Sequence, residues 1–248
     1  MTSKVRAPIP NLDAGERDLG PAPSHYLGRV LRLAVGARFV AFDPSAAVEA
    51  DAEILSMETG RTRVRLSAPR PAKVIATREI AWIHALSKGD KLDDIVRDAT
   101  ELGATHLVVA DALRSVVHLD AARATARRER WAKIAREAAR QCGRGDPPAI
   151  SGPLPWAEAL AAAPQAAARF CLHTGEAPPL AAGLLDALAG GLPLAFAVGP
   201  EGGLTDDEVA CAEQAGFARA SLGPFVLRTE TVPAAVLGAC RILAAVTG

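Results

Sequence analysis

The chain has 248 residues, 50% of them hydrophobic and 23% charged, with 28 Lys and Arg against 28 Asp and Glu. Such a composition can bury a sizeable core, and it excludes disordered, collagen-like and disulfide-scaffold proteins. Zero net charge also excludes a uniformly basic nucleic-acid binder, so any such role rests on local basic faces.

Cys142, Cys171, Cys211 and Cys240 lie far apart and form no CxxC pair. Zinc-finger and dithiol redox readings therefore have no support. The five histidines (His25, His84, His106, His118 and His173) form no metal-ligand pattern, and no metal is expected. Residues 1–10 hold Lys4 and Arg6 but no apolar signal core. The nearest approach to a spanning segment, 180–198, is broken by Gly183, Asp186, Gly190, Gly191 and Pro193. The expectation is a soluble, cytoplasmic protein without membrane association.

Residues 1–75 read as a small β-rich barrel or sheet. Alternating segments at 37–42, 52–57 and 62–66 are punctuated by turns at Gly36, Asp43-Pro44 and Thr59-Gly60. This part carries 11 basic and 8 acidic residues, and 68–71 reads as a linker. From about residue 76 the rhythm changes. Strands are expected at 80–86, 106–110, 169–173, 194–198 and 218–222. Helices are expected at 90–102, 126–142, 156–162, 178–189, 205–215 and 232–246. That alternation specifies an α/β domain with a mostly parallel sheet, whose ligands sit beyond the carboxyl ends of the strands.

The helix ending at Cys142 has two faces. Trp131, Ile134, Ala135, Ala138 and Cys142 recur at core spacing, with Lys133, Arg136 and Arg140 opposite. Over 121–144 there are eight basic and two acidic residues. The basic side is either a solvated face or one that contacts phosphates, and Arg144 between Gly143 and Gly145 favours contact slightly.

Two loops carry the strongest signals. In the first, an apolar strand runs into Gly199-Pro200-Glu201-Gly202-Gly203, and Thr205 with Glu208 forms a capping box for the next helix. This is neither GxGxxG nor GxxxxGK[ST], so dinucleotide and P-loop readings have little support. In the second, Leu222-Gly223-Pro224 turns the chain towards Arg228, Thr229, Glu230 and Thr231. Thr231 can cap the last helix, and Pro233 suits its first turn. Arg228 and Glu230 form either a local ion pair or part of a pocket at one sheet edge.

Gly199–Gly203, Leu222-Gly-Pro and Leu227-Arg-Thr-Glu-Thr231 together resemble the C-terminal motifs of the bacterial RsmE-type methyltransferases. These modify N(3) of a uridine in small-subunit (16S) ribosomal RNA. The segments His25–Arg32, Lys88-Gly-Asp90, Ala99–Gly103 and Arg130–Arg144 are similar to further parts of that family, so the resemblance covers most of 25–246. It implies a SPOUT-class α/β domain with a C-terminal trefoil knot, preceded by a PUA-like β-barrel that helps bind RNA. It also implies S-adenosyl-L-methionine as cofactor, a homodimer, and 16S ribosomal RNA or the small ribosomal subunit as partner.

Carried over residue by residue, the cofactor loops are Thr174-Gly175; Val198, Gly199, Pro200, Glu201 and Gly202; and Leu222, Gly223, Leu227, Arg228, Thr229 and Thr231. Arg228 is the candidate donor to the uracil oxygens, and Glu201 or Glu230 would accept the N(3) proton or orient Arg228. Arg29, Arg32, Arg136, Arg140 and Arg144 are the RNA-contacting candidates. Phe225 departs from the family, which often has a basic residue there, and Val232-Pro233 replaces smaller residues. The last helix is apolar on most faces (Val232, Ala235, Val236, Ala239, Cys240, Leu243 and Val246), which fits burial against a second subunit or within one. Two alternatives remain: a SPOUT enzyme acting on a ribose 2′-hydroxyl, and a non-catalytic RNA-binding ribosome-assembly protein.

Overall fold

The structure, a computed structural model, describes residues 5–116 and 119–247, with side chains through residue 245. His118 and Val246 thus lie outside the described side chains. The chain divides into two units: residues 1–75 with 139–147, and 76–138 with 148–248.

The first unit contains β1 (Arg6–Pro8), β2 (Gly15–Leu19), α1 (Pro21–His25), β3 (Arg38–Asp43), β4 (Val48–Glu58), β5 (Arg61–Leu66) and β6 (Arg70–Pro71). They build one sheet in the order β1-β3-β4-β5-β2, with β6 paired to β4. β1 runs parallel to β3; the other pairs are antiparallel. β5 shows why: Thr62, Val64 and Leu66 are buried while Arg61, Arg63 and Arg65 face water, the period of two that a half-buried strand requires. Leu27, Phe39, Ile54 and Val64 centre the core. Glu49 is only 1% exposed, and its carboxylate bonds Arg6 at 2.8 Å and Arg70 at 3.2 Å.

The second unit contains β7 (Ile80–Ala85), α2 (Lys91–Glu101), β8 (His106–Asp111), α3 (Ala121–Cys142, whose last residues belong to the first unit), β9 (Ala149–Pro155) and α4 (Trp156–Ala161). It continues with β10 (Ala168–Leu172), α5 (Leu180–Ala189), β11 (Leu194–Val198), α6 (Asp206–Gln214), β12 (Ala218–Ala220) and α7 (Val232–Thr247). Its sheet runs β12-β10-β11-β7-β8-β9, and every neighbouring pair is parallel.

Helices cover both faces, as a parallel sheet requires. Ile80 and Trp82 of β7 and Leu194, Phe196 and Val198 of β11 pack in one core with α2, α3, α5 and α7. Ala81, Ile83 and Ala85 of β7 and Ala195 and Ala197 of β11 pack in the other, with α4 and α6. The aromatic side is fixed by ring contacts: Phe196 lies 5.7 Å from both Trp82 and Phe170.

Several elements differ from expectation. Arg70–Pro71, expected within a linker, instead forms β6 on β4, and β1, β2 and α1 add to the expected segments. β9 is an unexpected strand; it carries Pro153 and Pro155, which are tolerated because it lies at the sheet edge. Gly152 is obligatory there, since a Cβ would fall 2.2 Å from the Val109 carbonyl oxygen. β12 stops at Ala220, two residues early, and α3 begins at Ala121, five residues before the expected start.

Candidate active site

In the parallel sheet, the loops leaving β7, β10, β11 and β12 all emerge at the carboxyl edge. The connection after β7 leads to β8 on one side, while the connection after β11 leads past β10 to β12 on the other. The two loops therefore diverge between β7 and β11, a topological switch point where such sheets bind ligands.

The loop after β11 is shaped by its glycines and its cap. The Gly203 amide donates to the Pro200 carbonyl at 2.9 Å, with Gly203 at φ +72. Gly203, not Gly202, holds the positive φ. Gly202 is small for a different reason: a Cβ there would lie 3.2 Å from Cβ of Arg114, whose guanidinium donates to the Gly202 carbonyl at 3.2 Å. At Gly199 a Cβ would lie 2.8 Å from Leu204. The capping box forms as expected, with Thr205 Oγ1 accepting from the Glu208 amide at 3.2 Å and Glu208 Oε2 accepting from the Thr205 amide at 2.8 Å. Glu208 also accepts from the Leu113 amide at 2.7 Å. Arg114 and Leu113 thus pin the glycine loop to the loop after β8, a support that sequence reasoning missed.

Lys91, the first residue of α2, is the centre of the polar constellation. Its ammonium lies 3.0 Å from Glu201 Oε1 and 3.4 Å from Glu230 Oε2. The Lys88 amide adds a 3.3 Å bond to Glu201 Oε1, and Thr229 Oγ1 donates to Glu230 Oε2 at 3.3 Å. So Glu230 pairs with Lys91, while Arg228 is exposed. Burial works to raise the Glu201 carboxyl, but its own backbone amide, the Lys91 ammonium and the Lys88 amide outweigh that and hold it below the ordinary carboxylate range. The Glu230 backbone amide, then Lys91 and Thr229, hold Glu230 low despite its partial desolvation. The hydrogen bond from Glu201 leads the causes that raise Lys91, which stays charged.

His84 lies beside this cluster, on the β7 residue paired with Val198 at the root of the glycine loop. It is 1% exposed, and its Nε2 is buried without a hydrogen-bond partner among the described residues. Neither Lys91 nor His84 was singled out from the sequence. The available signal was position, since the loop after the strand expected at 80–86 leaves the same edge as the two motif loops.

The remaining cofactor candidates follow neighbouring strands. Thr174 and Gly175 are exposed after β10, and the Gly175 amide donates to His173 Nδ1 at 2.9 Å. Val198 ends β11 and Pro200 is buried. Leu222, Phe225 and Val226 are exposed after β12, Leu227 is half-buried, and Thr229 and Thr231 form a 3-10 turn leading into α7. Gly223, at φ +106, has open space where a side chain would begin. A Cβ added at Gly203 or Gly223 would meet nothing within 4 Å, and Leu222, Phe225 and Val226 present exposed apolar side chains.

The expected RNA-contacting residues separate. Arg29 and Arg32 are exposed in the first unit, as is Arg140, whose guanidinium lies 5.9 Å from the Tyr26 ring centroid. Arg136 is exposed on α3 in the second unit. Arg144 is a correction: it is 5% exposed, and its guanidinium bonds Asp146 at 3.0 Å and 3.2 Å, so it serves the interior of the first unit. The basic side of α3 is also less free than its composition implies. Arg127 lies 3.5 Å from Asp90, Arg130 bonds Asp93, and Arg123 lies 3.5 Å from Asp120. No group of His, Cys, Asp or Glu able to hold a metal, and no helix long and apolar enough to cross a membrane, occurs among the described residues.

Comparison with known proteins adds to this geometry. The family described as RNA methyltransferase domain matches residues 76–241. Ribosomal RNA small subunit methyltransferase E of Synechocystis sp. is 33% identical over 230 residues, covering 91% of this chain and 72% of that protein. The protein of the same name from Bacillus subtilis is 38% identical over 159 residues, 62% of either chain. Among solved structures, ribosomal RNA small subunit methyltransferase E from Neisseria gonorrhoeae, bound to S-adenosyl methionine, is similar with a TM-score of 0.80 and 29% identity, over 96% of this chain and 97% of that one. A putative methyltransferase from Legionella pneumophila, in complex with the same cofactor, has a TM-score of 0.80 and 25% identity over 97% of this chain and 98% of that one.

Proposed function

We propose that this chain, which belongs to the RNA methyltransferase family typified by ribosomal RNA small subunit methyltransferase E, methylates N(3) of a uridine in small-subunit ribosomal RNA, with S-adenosyl-L-methionine as methyl donor. The observation that carries the reading is the convergence, at one sheet edge, of the loops at 174–175, 199–203 and 222–231, in a chain alike along nearly its whole length to a cofactor-bound relative. Thr174, Gly175, Val198–Gly202, Leu222, Gly223, Leu227, Arg228, Thr229 and Thr231 would hold the cofactor, mainly through backbone groups and apolar side chains. When bound, its sulfonium supplies an already activated methyl group, so the chain's task is largely orientation.

Uracil N(3) is a poor nucleophile until its proton leaves. The exposed Arg228 would meet the ring oxygens as negative charge develops there. Glu201 and Glu230 are ionised and available as proton acceptors, though Lys91 makes both weak bases while it bridges them. The target base must be unstacked to reach such a site. Arg29, Arg32, Arg136 and Arg140 would contact phosphates, the first unit acting as a PUA-like RNA-binding domain and the second as a SPOUT domain closed by a C-terminal trefoil knot. We further infer a homodimer. Val232, Val236, Leu237 and Cys240 of α7 are buried within the chain, but Ala234, Ala235 and Ile242 lie exposed on its outer side, where small residues admit a close partner. The protein would act in the cytoplasm, where small subunits are made.

The test is mass analysis of ribosomal RNA nucleosides from cells lacking the protein. Loss of N(3)-methyluridine, restored by the intact gene, is expected; loss of a ribose-methylated nucleoside instead would overturn the base specificity.

A further inference from the structure

Lys91 occupies a position that the methyl-transfer reading leaves without a role. It starts α2 just beyond β7, and its ammonium sits between the only two carboxylates proposed to take the uracil proton, 3.0 Å from Glu201 and 3.4 Å from Glu230. Those carboxylates come from different loops, one after β11 and one before α7. The Lys91 side chain is 34% exposed, so it is not sealed under the loops.

We propose that Lys91 is a further catalytic residue, whose ammonium changes partners when the target base docks: it leaves one glutamate to donate to a uracil oxygen, and the glutamate it leaves takes the N(3) proton. This rests on the uridine-N(3) reading. The resting arrangement makes the exchange necessary. A carboxylate neutralised by an ammonium at salt-bridge distance is a poor proton acceptor, and losing that partner raises its basicity. The same ammonium, moved to the ring oxygen, stabilises the charge that deprotonation leaves on the uracil. The imide edge of uracil presents an oxygen on each side of N(3)–H. Lys91, once released from one glutamate, would supply a donor to one of these oxygens, with that glutamate as the acceptor for N(3)–H, and Arg228 is the candidate donor for the other oxygen. In the step itself, the N(3) proton passes to a glutamate oxygen. The N(3) lone pair then forms a bond to the methyl carbon, and the carbon–sulfur bond breaks with its electron pair left on sulfur as a neutral thioether.

The competing account is that Lys91 only ties the two loops together. Since those loops also form the proposed cofactor site, the accounts differ in what else fails. Lys91→Met, Lys91→Gln and Lys91→Arg would each be measured for single-turnover methylation of unmodified small-subunit ribosomal RNA and, by calorimetry, for affinity for S-adenosylhomocysteine. The expected result for Met and Gln is a loss of about 100-fold in rate, with affinity within threefold of wild type, and partial recovery with Arg. Gln keeps a neutral donor and the side chain's length, so it carries the test if Met fails to fold. A parallel fall in rate and affinity, reproduced by Glu201→Gln, would reduce Lys91 to a tie between loops. An unchanged rate would also overturn the proposal. If wild-type protein binds S-adenosylhomocysteine yet forms no N(3)-methyluridine, the uridine reading fails instead, and the wild-type arm alone reveals it.

Discussion

Trp82 Nε1 donates a 3.2 Å hydrogen bond to Nδ1 of His84, two residues along the same strand. An Nδ1 that accepts this bond carries no proton, so the neutral ring keeps its hydrogen on Nε2. Burial lowers the His84 pKa from 6.5 to about 4, overcoming Glu201 and Glu230, which pull it upward. Because the unfolded chain binds this proton near pH 6.5 and the folded chain only near 4, stability falls as pH drops through that interval, by roughly 3 kcal/mol in total. NMR titration should show the His84 ring neutral at pH 6, and denaturant unfolding at pH 7 and pH 5 should show the loss. His84→Gln should flatten that part of the dependence.

Gly202→Val should weaken S-adenosylhomocysteine binding about tenfold or more, equivalent to about 1.4 kcal/mol, in a chain that still folds. The clash is with Arg114, whose Cβ and carbonyl oxygen lie 3.2 Å and 3.4 Å from a Cβ built at 202, so the glycine loop must shift outward. Arg114→Ala should weaken binding too, by releasing the Gly202 and Leu204 carbonyls. Calorimetric titration alongside circular dichroism checks both.

Glu49→Gln should destabilise the first unit by about 3 kcal/mol, the usual scale for breaking a buried ion pair on one side. Arg6 and Arg70 would lose their shared carboxylate at 2.8 Å and 3.2 Å. Burial raises the Glu49 carboxyl, but Arg6 and the Lys73 amide, followed by Arg70, bring it below the ordinary value. With the folded pKa depressed, its contribution is present above the unfolded carboxylate range and is lost as pH falls through the folded value. Thermal unfolding of the variant between pH 7 and pH 3 should show a smaller acid dependence than the parent.

Arg228→Ala should lower methyl transfer roughly 100- to 1,000-fold, with cofactor affinity little changed. Glu230 is already occupied by Lys91 at 3.4 Å, so loss of Arg228 leaves the turn before α7 tethered. Arg228→Lys should recover only part of the rate, since an ammonium does not reproduce a planar fork. Single-turnover rates beside dissociation constants decide it.

Arg136→Glu with Arg140→Glu should weaken RNA binding and reduce the salt slope by about two units if each arginine meets one phosphate. Both side chains are exposed on α3. Filter binding across a salt series checks this, and cofactor affinity should stay at the parent value.

Sequence reasoning reached the second unit best where period and punctuation agreed. The strand 194–198 was found at its observed bounds, because a continuous apolar run ends at an obligatory glycine turn. β9 was hidden because its prolines are compatible only with an edge, and edge position is a property of the sheet order rather than of the segment. The glycine loops were legible because glycine is a local constraint. Lys91 was not, since a lysine opening a helix has no local peculiarity; its meaning comes from two carboxylates more than a hundred residues away. Arg144 misled for a related reason: flanking glycines suggested reach, while Asp146 two residues on gave it an interior partner.

Residues 139–147 belong with 1–75, so the polypeptide passes between its two units at three points along the sequence. Within the first unit, the Gly145 amide donates to the Val74 carbonyl at 2.6 Å, and a Cβ on Gly145 would lie 2.5 Å from Ala72. A gene cut after codon 75 therefore does not separate two independent modules. The C-terminal product would keep nine residues shaped for neighbours it no longer has, and the N-terminal product would lack a segment it needs to complete its fold. A single boundary at 75 looks like a natural seam in the sequence, but a graft of the first unit has to carry 139–147 with it.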